Sequence, residues 1–507
     1  MSIHGYVGNV ITANPTAPTS SVATGVWTTE QQLIAKAAGN WPFTIPTQQI
    51  SRSLRFNPAD TAYLNRTLGT SNRRTFTFSA WVKRSLLAST QCIFGNINFA
   101  GGGSTNQQFF LGFSSSDQLD LLHYNNGTSN GLTSSAVYRD PSAWYHVVCA
   151  IDTTQATSSD RMKLYVNGSQ ITAFASSSYP TQNTDTFINA NLATAIGVQV
   201  GTGIGNSYYL GGYLTEINFI DGQALTPSSF GRTSTTTGVW EPLAYTGTYG
   251  TNGFYVNFSD NSNTTAATLG KDYSGNGNNW TPNNFSVTAG VGNDSLVDSP
   301  TAYGTDTGVG GEVRGNYCTL NPLQNGGLTL SNGNLEGTSA SGWFTTFATM
   351  GVSSGKWYWE GTCTSGGQAL MGIATARATL ASYVGVDTYG WCYYSSATDS
   401  YKINSGTTAV YGALYTTGDI ISVALDLDAG TLVFYKNGVS QGTAYSSLSG
   451  EFFPAISTIS NGIWRMNFGQ RAFAYTAPSG FKALVTTNLP TPTIGATSTT
   501  QANDYFN

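Results

Sequence analysis

Most of the chain consists of short runs in which apolar residues alternate with Ser, Thr, Asn and Gly, the period of β-strands rather than of helices. Residues 76–82, 108–113, 144–151 and 162–166 read this way, bounded by clusters of Gly, Asn, Ser and Asp. The last run meets Asn167-Gly168, and a type I′ turn needs positive φ at both central residues, so a hairpin is predicted there. In Lys356-Trp-Tyr-Trp-Glu360, Trp357 and Trp359 point to one face and Tyr358 and Glu360 to the other, which makes one face core. One helix is predicted, over 28–38, where Thr28 or Thr29 caps and Leu33, Ile34 and Ala37 form an apolar stripe before Pro42 and Pro46 stop it.

A chain of 507 residues is too long for one hydrophobic core. Residues 1–48 read as an N-terminal arm whose short helix cannot bury a core alone and is expected to dock. Residues 49–232 form a first sandwich, and 233–340 a Gly-, Thr- and Asn-rich connector. Within that connector, 253–258 is expected to pack on the first sandwich and 287–313 has little apolar content. A second sandwich follows over 341–489, then a polar C-terminal extension over 490–507. The expected fold class is all-β, two jelly-roll sandwiches joined by the connector, because repeated strands and turns at this spacing do not build βαβ units.

Two resemblances sharpen this organisation. Phe76-Thr-Phe-Ser-Ala-Trp-Val-Lys83, Ile93-Phe-Gly95, Trp144-Tyr-His-Val-Val148, Leu164-Tyr-Val-Asn-Gly168 and the run from Leu210 to Phe219 resemble successive strands of a laminin-G-like, concanavalin A-like jelly roll. Lys356-Trp-Tyr-Trp-Glu360, the Gly418-Asp to Asn437-Gly438 hairpin, Phe452-Phe-Pro-Ala455 and Asn467-Phe-Gly469 closely resemble a SPRY domain. With Thr24-Gly-Val-Trp27 and Gly39-Asn-Trp-Pro42 at the front, the arrangement is similar to structural and tail-fibre-like proteins of aquatic phages. That resemblance implies a virion surface protein that attaches to a host.

Composition agrees with a particle surface. Aromatic residues at 13% and hydrophobic residues at 40% suffice for folded cores, while charged residues at 9% lie far below the usual proportion of about 25%. Net charge of -5 over this length offers no basic footprint for nucleic acid or anionic lipid, and no apolar run is long enough to insert in a membrane. Residues 1–30 lack a basic stretch followed by an apolar one, so synthesis in a host cytoplasm without a signal peptide is expected. Cys92, Cys149, Cys318, Cys363 and Cys392 form no CxxC pair and read as small buried hydrophobes.

Catalysis has little to stand on. Retaining glucanases of the concanavalin A-like fold need carboxylates at alternate strand positions, and the seven Glu are isolated. Asp426-Leu-Asp428 is the nearest alternation and reads as a hairpin entry. His4, His123 and His146 are too scattered for zinc, and His146 is read as a hydrogen-bonded core residue. Gly201-Thr-Gly-Ile-Gly205 lacks the strand-to-helix context of a phosphate cradle. Calcium is the one metal left open, with Asp260, Asp272 and Asn276 as oxygen ligands.

Glycan recognition needs aromatic faces for sugar C–H groups and amides or carboxylates for hydroxyls. Tyr383, Asp387, Tyr389, Tyr393 and Tyr394 supply these in the second unit, where Trp391 is assigned to the core; Asn125, Asn126 and Asn130 supply amides in the first. Removal of 383–394 is expected to abolish cell binding and leave the domain folded. The expectation is a non-enzymatic, homo-oligomeric adhesin. It would bind a host cell-surface glycan or protein and join other virion proteins through its arm; the alternative is a purely structural virion decoration or adaptor.

Overall fold

The alternating runs assemble into four large sheets in the computed structural model, which describes Gln31, Ile34 and residues 48–490 apart from 101–104, 203–204, 235–236 and 366–367. Gln31 and Ile34 are helical, inside the helix expected over 28–38. The rest of that helix and of the arm, and the extension beyond Pro490, lie outside the described residues. An eight-stranded and a nine-stranded sheet form the first sandwich, and two seven-stranded sheets form the second. The fold is all-β, as the alternation predicts.

Thr75–Arg84 is central to the first sandwich, pairing antiparallel with Trp144–Asp152 and with Gly212–Asp221. Its odd and even positions face opposite ways, and both faces are buried. Phe76, Phe78, Ala80 and Val82 enter the core between the sheets. On the other face, Trp81, Trp144 and Tyr213 join an apolar cluster that continues into the core of the second sandwich, which holds Trp357, Trp359 and Trp464. The two sandwiches therefore share apolar packing as well as a covalent linker. The expected hairpin forms at Asn167 (φ 49°) and Gly168 (φ 82°).

The stretch expected to be connector is divided between the two sandwiches. Phe254–Val256, Thr281–Asn283 and Ser295–Leu296 add strands to the first. Leu320–Asn325, Thr329–Ser331 and Glu336–Ser339 belong to sheets of the second, which thus starts at Leu320 rather than at 341. These strands hold at most an isolated leucine or two among polar residues and Gly, too sparse an apolar pattern to mark them. Nor is 287–313 free of the core, since Leu296, Val297 and Val313 are buried.

Charged groups tie this linker down. Arg55, 2% exposed, donates Nε and Nη2 to Asp294 Oδ1 at 3.0 and 2.8 Å. Its Nη1 reaches the Asn332 carbonyl at 3.2 Å. Tyr213 Oη donates to the Gly333 carbonyl at 2.6 Å.

Trp357 and Trp359 lie in the second core, and Tyr358 and Glu360 face away from it as expected. That second face is also covered, because Phe473 and Ala477 pack over Tyr358. Trp464 joins the two sheets of this sandwich, its Nε1 donating to the Leu370 carbonyl at 3.0 Å. Trp464→Ala should remove a fully buried ring and that bond, lowering stability by about 3–5 kcal/mol. Urea unfolding would show this as a lower midpoint with an unchanged slope.

Candidate functional site

In the nine-stranded sheet, Gln91–Ala100, Thr105–Phe113, Gln118–Asn125 and Thr128–Val137 are neighbours. Side chains repeat on one face every second residue, so register defines rows that cross the strands. Phe94, Leu111, Leu121 and Leu132 form one row, entirely within the core. The next is Asn96, Phe109, His123 and Asn130, and the next Asn98, Gln107, Asn125 and Thr128. Phe109 meets Phe76, the second residue of its strand in the opposing sheet, with ring centroids 5.6 Å apart. The opposing sheet therefore stops where the row of amides begins, and Asn125 and Thr128 are exposed.

Asn125 thus belongs to an ordered amide row that also includes Asn98 and Gln107, which spacing along the chain did not bring together. Asn126 (φ 45°) and Gly127 (φ 93°) make the turn beside it. Asn130 acts as a tie, donating Nδ2 to the Tyr179 carbonyl at 3.1 Å. Behind the row, the His123 ring stacks on Phe187 at 5.1 Å, and neither ring nitrogen has a protein partner. Burial, with a smaller contribution from Arg73, pushes its pKa down to about 4, so the ring is neutral. Asn96 Nδ2 donates to the Phe187 carbonyl at 2.9 Å, and its Oδ1 is also buried without a partner.

In the second sandwich the candidate residues separate. Strand Gly390–Ser395 turns Tyr393 inward, 0% exposed, against Tyr411, Tyr415 and Phe434. Tyr393 is therefore withdrawn as a ligand contact, because a fully buried ring has no face to offer. Tyr394 points outward, where Trp343 packs edge-on against it and against Tyr383, with centroids at 6.2 and 5.8 Å. Tyr401 pairs across from Tyr394, completing a half-buried aromatic patch that includes two residues, Trp343 and Tyr401, not foreseen from sequence. Tyr389 is exposed at 38%. Asp387 accepts the Thr379 and Tyr389 N–H groups at 2.8 and 2.9 Å and so shapes the loop. Deleting 383–394 would remove a strand paired on both sides, so the expectation that the domain survives it does not hold.

Residues 356–471 match the SPRY domain, and residues 57–230 match the concanavalin A-like lectin/glucanases superfamily. The chain carries one domain of each kind. The SPRY part is similar to the ATP-dependent RNA helicase DDX1 of Xenopus laevis, 30% identical over 145 residues that cover 28% of this chain and 19% of the helicase. It is also similar to Ran-binding protein 9 of Xenopus tropicalis, 31% identical over 106 residues, or 21% of this chain and 19% of that protein. The chain spans about a fifth of the length of these curated relatives. Among solved structures, the SPRY domain of human HERC1 is 20% identical, with a TM-score of 0.26, covering 29% of this chain and 96% of that one.

The calcium candidates are occupied by their own loops. Asp272 accepts N–H groups of Tyr255, Ser274 and Asn278, each at 2.8 Å, and the Ser274 hydroxyl at 2.8 Å. Asp260 accepts the Ser262 hydroxyl at 2.6 Å, and Asn276 turns its amide N–H toward the Gly250 and Gly253 carbonyls. Among the described residues no group of three or more His, Cys, Asp or Glu gathers as a metal site. Asp426 in the SPRY domain accepts the Asp428 and Ala429 N–H groups and shapes the hairpin entry. In the concanavalin A-like domain, His146 bonds Ser79 Oγ and accepts Trp240 Nε1–H at 2.9 and 3.0 Å, between the Trp81 and Trp240 rings.

Buried carboxyls are where acid–base chemistry is sought. Glu360 of the SPRY domain accepts the Ala474 and Tyr475 N–H groups and the Tyr358 hydroxyl, and is enclosed. Glu216 lies at φ 53° in an irregularity of Gly212–Asp221 and accepts hydrogen bonds from Tyr255 Oη, at 2.6 Å, and Gln48 Nε2. Burial pushes its pKa up to about 7, against the Tyr255 hydrogen bond. A raised folded-state pKa means that its contribution is intact below the ordinary 4.5 and is lost as pH rises through about 7. Glu216→Gln should therefore flatten a stability decline of about 1–3 kcal/mol between about pH 5 and pH 8, read from urea midpoints.

Proposed function

We propose that this chain is a non-enzymatic surface protein of a phage virion that recognises host-envelope glycans. The row of Asn98, Gln107, Asn125 and Thr128 carries the reading. Amides on neighbouring strands recur roughly every 4.7–4.9 Å, a spacing suited to successive hydroxyl-bearing rings of an extended glycan. Each amide offers both donor and acceptor, which is what hydroxyls require. The aromatic patch of Trp343, Tyr383, Tyr394 and Tyr401 gives the SPRY domain a second contact face.

A protein ligand is the second reading, and that same patch favours it, since half-buried aromatic residues dominate protein recognition. One of the relatives that matches there is named as a Ran-binding protein. On either reading each site is weak, and repetition of the chain on a particle, with the arm joined to other virion proteins, supplies avidity.

The test is adsorption of labelled full-length protein to candidate host cells, with and without envelope polysaccharide and EDTA. Saturable binding blocked by polysaccharide is expected, with the triple variant Asn98→Ala, Gln107→Ala, Asn125→Ala weakened about tenfold or more. Loss with EDTA would add calcium. Binding that protease treatment of the cells removes, and polysaccharide does not, would favour a protein receptor. No binding even when the protein is clustered on beads would sink the adhesin reading and leave a structural decoration or adaptor.

A further inference from the structure

Lys83 is the only buried lysine among the described residues, at 0% exposure. Its Nζ donates to Asp298 Oδ2 at 2.8 Å, to Asn316 Oδ1 at 2.8 Å and to the Tyr317 carbonyl at 2.7 Å. Asp298 is buried too, its other oxygen accepting Trp144 Nε1–H at 3.0 Å and the Tyr317 N–H at 3.3 Å. Asn316 Nδ2 donates to the Ser142 carbonyl. The Tyr213 ring centroid lies 5.7 Å from Nζ. An amine, a carboxamide and a carboxylate thus meet beside the side chains of Trp144 and Tyr213 and the backbone of Tyr317. Other buried ion pairs of this sandwich, Arg55 with Asp294 and Arg84 with Asp117, use arginine, whose delocalised guanidinium is a poor nucleophile, whereas a lysine amine is a good one.

We infer that Lys83 and Asn316 become joined by an intramolecular isopeptide bond once the chain has folded, with Asp298 carrying the proton. The Lys83 ammonium passes a proton to Asp298, and the freed lone pair attacks Asn316 Cγ, forming the Nζ–Cγ bond. Asp298 returns its proton to Nδ2, the Cγ–Nδ2 bond breaks, and ammonia leaves. The remaining extra proton on Nζ returns to Asp298, so the products are a secondary amide, a neutral carboxylic acid and ammonia. Charge and atoms balance without any further reactant.

Two features drive the step. With Nζ 2.8 Å from Oδ1, and Cγ one bond beyond that oxygen, the two reacting groups are already in contact and only a short shift of the amine off the oxygen separates them from attack. Burial penalises an ion pair and does not penalise an amide, so the enclosure that destabilises the reactants leaves the product alone. The cross-link would fasten Thr75–Arg84, at the centre of the concanavalin A-like sandwich, to the chain entering Leu320–Asn325, an outer strand of the second sandwich. A protein pulled between particle and cell would then carry load through a covalent bond at that junction.

The experiment is intact-mass measurement and tryptic mapping of the full-length wild-type protein. The expected mass is one ammonia below that of the sequence. Trypsin should fail at Lys83 and release a branched peptide of residues 75–84 joined to 315–356. Lys83→Arg and Asp298→Asn should have full mass and no branched peptide. A wild-type protein of full mass that yields separate 75–83 and 315–356 peptides would overturn the inference. So would loss of water with Lys83 joined to Asp298. Both readouts are taken on the wild type, so the inference stands or falls whether or not the variants fold.

Discussion

Cations buried on the outer face of a sheet set how the two sandwiches come together as the chain folds. Lys83 and Arg55 leave the first sandwich on its outer side, where water would ordinarily solvate them, yet both are almost wholly buried. A buried charge without partners is prohibitively costly, so acceptors must be brought to it. They come from the linker, as Asp294, Asp298, Asn316 and the Tyr317 carbonyl. A linker held at those points cannot swing freely, and it delivers Leu320 to the apolar cluster that also holds Trp81, Trp144 and Tyr213. Removing either cation would leave carboxylates stranded, which is why the seam constrains both units at once.

The candidate recognition faces follow from where coverage ends. One sheet of the first sandwich extends a row further than its partner, leaving amides at the rim over a core that closes with Phe109, His123 and Phe187. In the SPRY domain the outer face of one sheet is covered by the loop carrying Leu380 and Val384, and the aromatic patch forms along its margin. The residues that form the two faces are themselves uncharged, with Asp399 hydrogen-bonded to Tyr401 at the second. Selectivity would then depend on hydrogen-bond geometry and stacking rather than on long-range attraction, and should vary little with salt.

Alternation carried most of the fold because its physical basis is local. Trp357 and Trp359 face the core whatever else the chain does, and Asn167-Gly168 turns because both residues accept positive φ. What escaped the sequence depends on distant partners. Tyr393 and Tyr394 are chemically alike and adjacent, so alternation says that they face opposite ways without saying which way is in. Asn125 was legible as an amide at a turn, but its row with Gln107 and Asn98 exists only through register across three strands. Lys83 ends an alternating run with nothing nearby in sequence to mark it as buried, because the acid it pairs with lies 215 positions along the chain. The strands between Leu320 and Ser339 carry too few apolar residues to be recognised before their partners are in place.

Scarcity of charge gives these placements their meaning. With only 9% of residues charged, solubility rests on hydroxyls and amides, which are hydrated without strong fields. Several of the few charges are nevertheless buried at the seam and beside it, at Arg55, Lys83, Arg84, Asp117, Asp294 and Asp298. Apolar residues there could match or exceed the stability of an ion pair, so stability alone does not account for them. A paired charge also favours one docking geometry, since a flat hydrophobic contact tolerates sliding more readily. Were the two candidate faces to act together, that restriction would serve them, because the second would reach its ligand at high effective concentration only if its position relative to the first is set.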